Sequence, residues 1–278
     1  MNKQTIPIDV AHLLPVLDTK LFELLKSLSV QEWQQQTIAK LWTVKDVVSH
    51  LLDGNIRVLS ILRDGYFGEQ VNTDSQQGLI EFLNNLNADW VKSSKRISPQ
   101  MLVFLLEATG PQFCDYFKGL DPFAKSLLAV KWAGEEESQN WMEIAREYTE
   151  KWLHQQQIRD AVNKQDLMSH ALFYPFIDIF MLALPHTFES IQADNGTTVK
   201  MTIKSEIGGS WLLIRTDNKW VLSKSEIQFP TTEIIIDPDL SWKLFSKSLR
   251  PEQIIDQIEV IGRRDLAETA LNMVSVMA

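Results

Sequence analysis

Cysteine is almost missing from this chain: Cys114 is the single one in 278 residues. One cysteine cannot close an internal disulfide, and it cannot supply the clustered thiolates of a cysteine-based zinc site. Long apolar runs are missing too. The greasiest stretch, Ala171 to Leu184, falls short of the ~20 residues a membrane helix needs and is interrupted by Pro175 and Asp178. A buried helix is expected there, and no membrane partner. Positive charge is in deficit: 27 Lys and Arg stand against 36 Asp and Glu, a formal charge of −9. With no basic stripe to meet phosphates, nucleic acid is not an expected partner. The segment Met1 to Asp9 lacks the apolar core of a signal peptide. No internal repeat or low-complexity tract stands out. These absences leave a cytoplasmic globular protein as the expectation, with length enough for two domains.

What is present changes character along the chain. The first two-thirds read as helices. Leu13, Leu14, Leu17, Leu21, Leu24, Leu25 and Leu28 recur at helical spacing within Val10–Leu28. Thr43 reads as an N-cap with Asp46 three residues on, opening a helix that runs to about Arg63 and stops near Gly65. A loop is expected from Tyr66 to Gly78, a helix from Leu79 to Arg96, and another opened by Ser98-Pro99. An acidic loop from Gly134 to Asn140 precedes a helix from Trp141 to about Val162. Four long amphipathic helices imply a bundle. From Thr197 the pattern alternates: Val199, Met201 and Ile203 share a face, Gly208-Gly209 turns, and Asp217-Asn218 joins a hairpin. Glu233–Ile236 and Ile258–Ile261 read as further strands, with helices from Asp237-Pro238 to Phe245 and from Asp265 to Val274. The fold class expected is an α-helical bundle of the four-helix up-down type over residues 1–186, followed by a small α+β domain over 187–278.

The chemistry concentrates in the last bundle helix. Glu150 and His154 stand four residues apart, so a helix puts a carboxylate and an imidazole on one face. His50 lies on another helical pattern whose neighbours Val47, Leu51 and Gly54 turn its face inward. Two His and one Glu from two helices would form a three-ligand site with an open position. Neutral imidazole and carboxylate suit zinc, nickel, iron or manganese. The plainer alternative stays open at this point: Glu150 and Lys151 as solvated helix charges, the histidines as satisfied core residues. Around the site, Arg146 and Tyr148 are candidate catalytic residues, Arg146 for a substrate carboxylate or else as a surface residue or partner of Glu150, and Tyr148 as a general acid or else as a core aromatic. Asp53, Arg57 and Gln157 are candidates to contact a cofactor. Trp42, Trp132, Trp141 and Trp152 are either an apolar pocket wall or bundle core. Cys114, between Phe113 and Tyr116, reads as buried rather than reactive.

The segment Trp42-Thr43-Val44-Lys45-Asp46-Val47-Val48-Ser49-His50-Leu51 resembles the first-ligand segment of DinB-like metal-binding bundles. The segment from Glu150-Lys151-Trp152-Leu153-His154 to Arg159-Asp160-Ala161 looks like the second. More closely, the chain is similar to the mycothiol-dependent maleylpyruvate isomerase family, and the likeness extends to Gly208-Gly209-Ser210-Trp211, Asp239-Leu240-Ser241-Trp242-Lys243-Leu244-Phe245 and Ile258-Glu259-Val260-Ile261-Gly262-Arg263-Arg264-Asp265. The resemblance implies a bundle joined to a C-terminal domain of sterol-carrier-like type and a metal triad at His50, Glu150 and His154, with zinc foremost. It also implies a low-molecular-weight thiol and a small electrophilic substrate, hence an isomerase or S-transferase; for the oligomeric state, monomer and homodimer both stay open. The alternative is a non-enzymatic protein that binds a small ligand or lipid, its metal site structural or vestigial. Arg263 and Arg264 depart from the acidic residue many relatives carry there; they favour an anionic ligand, or simply face solvent.

Overall fold

The computed structural model describes residues 5–68, 76–127 and 137–273. The chain forms two compact units, each made of two stretches: residues 1–127 with 150–165, and residues 128–149 with 166–278.

The first unit is helical. It contains α1 (Leu14–Lys26), α2 (Val30–Trp33), α3 (Val44–Val58), α4 (Gln76–Ser94), α5 (Pro99–Lys118) and the C-terminal part of α6 (Asn140–Ala161). The leucine pattern of α1 turns Leu14, Leu17, Leu21, Leu24 and Leu25 inward, all buried. Leu21, Leu24 and Leu25 meet Val44, Val47, Val48 and Leu51 of α3, Leu102 and Leu106 of α5, and Ile158 of α6 in one apolar cluster. Burying each such side chain contributes about 1.5–3 kcal/mol. The starts of the helices follow the chemistry of their caps. The Thr43 hydroxyl accepts from the Asp46 amide, and the Asp46 carboxylate accepts from the Thr43 amide at 3.1 Å. Ser98 caps α5 by accepting from the Met101 amide at 3.2 Å, with Pro99 at the first helical position. Beyond Val58, α3 continues as a π-helical turn, Leu59–Arg63, before Gly65 leaves it at φ +71°. The expected stop is thus in place, and the wider turn before it is an addition. Gly78, expected in a loop, lies inside α4; residues 69–75 and 134–136 of the two expected loops lie outside the described residues.

The second unit contains the first part of α6, then α7 (His170–Met181), α8 (Leu184–Thr187), a five-stranded sheet, α9 (Pro238–Phe245), α10 (Pro251–Ile254) and α11 (Arg264–Leu271). The strands are β1 (Thr198–Ile203), β2 (Gly209–Thr216), β3 (Lys219–Ser223), β4 (Thr232–Ile236) and β5 (Glu259–Gly262), in the order β3-β2-β1-β4-β5. β1 and β4 run parallel; the other neighbours are antiparallel. Asp217-Asn218 joins β2 to β3 in the expected hairpin, with Thr216 opposite Lys219. Val199, Met201 and Ile203 face the core together with Trp211, Leu213, Ile234 and Ile236. The greasy stretch becomes α7, with eight buried residues. No helix among the described residues is long and apolar enough to cross a membrane. α7 is tied to the sheet through Asp178, which accepts from Trp211 Nε1 and from Lys224 Nζ, each at 2.7 Å. Tyr174 stacks on Trp211, and a Cβ at Gly209 would come 2.7 Å from the Tyr174 ring. The final helix is shorter than expected, ending at Leu271, and Val274 lies outside the described residues.

Candidate metal centre

The helix that carries the expected ligand pair is unusual. α6 is polar on most of its surface, yet Thr149, Lys151, Gln155, Gln156, Gln157 and Arg159 are all buried. A polar helix can be buried only if its side chains are partnered. Gln155 donates to the Leu17 carbonyl at 2.8 Å, and Arg159 to the Lys20 carbonyl at 3.0 Å, both on α1. These bonds fix the rotation of α6 and turn the Glu150–His154–Gln157 face toward α3.

His50, Glu150 and His154 converge there: their candidate ligand atoms all lie within 4.8 Å of one another. His154 Nε2 stands 3.0 Å from Glu150 Oε2. The two imidazoles meet edge to face, with ring centroids 4.6 Å apart. Gln157 Oε1 lies 2.9 Å from His154 Nδ1. Accepting the Nδ1 proton leaves Nε2 as the nitrogen offered to the cluster, the usual arrangement behind a ligating histidine. His50 and His154 are each only 9% exposed. The Nδ1 atom of His50 is buried without a hydrogen-bond partner. Burial, then the electrostatic effect of His154 beside it, push the His50 imidazole down to about 3, against the pull of Glu150 and with a smaller push from Arg57. His50 is therefore a neutral donor at neutral pH, as a metal ligand must be. A buried nitrogen without a partner, in a set of two imidazoles and one carboxylate, fits a divalent ion with a position left open.

The neighbouring candidates fall in several places. The Trp42 ring lies 4.8 Å from that of His50 and 6.2 Å from that of His154. Its carbonyl is pinned by Gln36 Nε2 at 2.7 Å and Thr37 Oγ1 at 2.8 Å, so a short local loop presents the indole to both histidines. Trp152 is fully buried in the core, Trp141 donates to Gln139 at 3.0 Å, and Trp132 lies outside the described residues. Asp53 and Arg57, one and two turns beyond His50, pair with each other at 3.0 Å, and Arg57 also donates to Asn87 at 3.1 Å. Burial raises the Asp53 carboxyl despite that partner. Arg146 is held by Glu143 at 2.7 Å and Glu147 at 2.5 Å. Tyr148 is fully buried and donates to the Leu172 carbonyl at 2.6 Å; burial raises its pKa. Acid catalysis by Tyr148 would first have to break that bond. Arg263, exposed, pairs with Asp265.

One element escaped the sequence reading. Lys151, taken there as a possible solvated charge, is 6% exposed and bonds to Asp18 and Asn55. No local signal in the sequence marks it, because its partners lie on distant segments.

A helical bundle that gathers two histidines and a glutamate between two of its helices defines the class: a candidate metal-binding bundle, here followed by a mixed sheet with helices. The profile of the mycothiol maleylpyruvate isomerase N-terminal domain family matches residues 14–159, and the chain belongs to that family. Among solved structures it is similar to a histidine-to-alanine mutant of the mycothiol-dependent maleylpyruvate isomerase, at 9% identity and a TM-score of 0.51, covering 86% of this chain and 88% of that one. The same isomerase without that mutation aligns at 10% identity and a TM-score of 0.47, covering 84% and 86%. The likeness in fold rests on the first of the two. No curated protein matches the sequence.

Proposed function

We propose that this protein is a metal-dependent enzyme that uses a low-molecular-weight thiol to isomerise, or to transfer the thiol to, a small electrophilic substrate in the cytoplasm. The observation that carries the reading is the convergence of His50, Glu150 and His154 in a chain that belongs to the family named above. Zinc is the first candidate for the ion, given the donor set, with nickel, iron and manganese behind it. A divalent ion held by three protein ligands would hold an exogenous thiol as its thiolate at neutral pH. The residues of the chain supply the setting. Gln157 fixes the His154 ring, Trp42 forms an apolar wall against both imidazoles, and the Asp53–Arg57 pair lies on the helix face that continues from His50. For isomerisation, a thiolate adding to an unsaturated carbon leaves a single bond free to rotate, and its expulsion restores both the double bond and the thiolate. We also propose residues 1–186 and 187–278 as the two domains, because the chain passes from helices to strands between Thr187 and Thr198.

The test is elemental analysis of tag-free protein beside His154→Ala, followed by thiol-dependent assays with unsaturated keto acids and other electrophiles. About one equivalent of metal in the parent and little in the variant, with turnover that needs added thiol, is the expected result. Absence of metal from the parent after incubation with zinc would overturn the reading, as would turnover that survives His154→Ala.

A further inference from the structure

We propose that Lys151 is a positioning residue that sets the spacing between the two ligand-bearing helices, an inference that rests on the metal-site reading above. Lys151 lies between Glu150 and His154 in sequence, about 100° round the helix from the first and about 60° from the second. Its Nζ donates to Asp18 Oδ1 of α1 at 2.9 Å and to Asn55 Oδ1 of α3 at 3.0 Å. The Phe113 ring of α5 lies 4.1 Å from the ammonium. Asn55 passes the connection on, donating to Thr109 Oγ1 of α5 at 3.1 Å. One ammonium therefore links α6 directly to α3, five residues beyond His50.

The arrangement suits positioning better than cohesion. A buried ion pair carries a desolvation cost that an apolar pair of the same volume avoids. What it provides instead is direction: charge-assisted hydrogen bonds fix distance and rotation, where apolar contacts tolerate sliding. Glu150 and His154 move as one body on α6. The relation of α6 to α3 alone decides whether His50 completes the set. A second constraint meets at the same carboxylate. A Cβ at Gly110 of α5 would come 2.4 Å from Asp18 Oδ2, and Cys114 Sγ lies 3.5 Å from that oxygen. The Asp18 carboxylate thus lies between Lys151 on one oxygen and α5 on the other.

The experiment measures zinc affinity by chelator competition and the visible absorption of the cobalt(II)-loaded protein. It compares the parent with Lys151→Met, Asp18→Asn/Lys151→Met and Gly110→Ala. The double variant leaves no unpaired buried charge, and Gly110→Ala perturbs the network without touching α6, so the test does not hang on one variant folding. The expected result is a loss of zinc affinity of about tenfold or more, with a shifted cobalt band, in variants whose circular dichroism matches the parent. Variants that keep the parental fold, affinity and cobalt spectrum would overturn the positioning role while leaving the metal site standing. A parent that binds neither zinc nor cobalt would overturn the site itself, and this inference with it.

Discussion

The buried imidazole of His50 makes the metal-free protein sensitive to acid in a defined window. In the unfolded chain a histidine titrates near 6.5, whereas burial first, and His154 beside it second, hold His50 down to about 3 in the fold. Between those values the unfolded state carries a proton that the folded state refuses. The stability that neutral His50 allows is therefore fully present above about pH 6.5 and is lost as pH falls toward 3. At about 1.4 kcal/mol per unit of pH, the loss from this residue by pH 5 is ~2 kcal/mol, and ~5 kcal/mol if the full window is crossed. The assay is urea unfolding of chelator-treated protein at pH 7.5 and pH 5.0, for the parent and for His50→Gln. Other groups titrate in both proteins, so the difference between the two pH effects isolates His50. A parent that loses ~2 kcal/mol more than the variant agrees with the structure. Equal losses, within ~0.5 kcal/mol, would show that His50 accepts its proton in the fold and that the enclosure described here is wrong.

Three further outcomes are expected. Gln157→Ala removes the group beside His154 Nδ1 and should weaken zinc binding about 10–100-fold, while an unchanged competition curve would deny Gln157 that part. Cys114, buried and pushed up to about 12 by burial and by Asp18 beside it, should not react with a disulfide reagent at pH 8 in the native protein and should yield one equivalent in urea; fast native reaction would contradict it. Gly262→Ala places a Cβ at φ +91° and 2.2 Å from the Thr231 carbonyl, so it should cost at least ~2 kcal/mol; an unmoved melting temperature would count against the β4–β5 register.

Much of this architecture is written in local patterns. Thr43 with Asp46, and Ser98 with Pro99, mark helix starts because a cap is a contact between residues three apart. The Val199–Met201–Ile203 alternation marks a strand with one buried face for the same reason. Glu150 and His154 are legible because helix geometry alone brings them together. What sequence does not carry is the meeting of distant segments. That His50 reaches the pair, that Trp42 lies against both histidines, and that Asp18 receives Lys151 are all settled by tertiary packing. The π-helical turn at Leu59–Arg63 is likewise silent, because its residues Leu59, Ser60, Ile61, Leu62 and Arg63 suit an ordinary α-helix equally well.

The division of the candidate ligands between helices bears on the order in which a metal site would form. Glu150 and His154 are neighbours as soon as α6 is wound, since backbone hydrogen bonds alone set their spacing. His50 joins only when α3 docks. A chain with α6 formed and the bundle still open already presents two-thirds of the donor set. An ion captured at that stage would staple one turn of α6 and reward the docking of α3 with a third bond. Metal uptake and bundle closure would then be successive steps rather than one event. A peptide spanning residues 140–163 should gain helicity on adding zinc, and a peptide that ignores zinc would place uptake after closure.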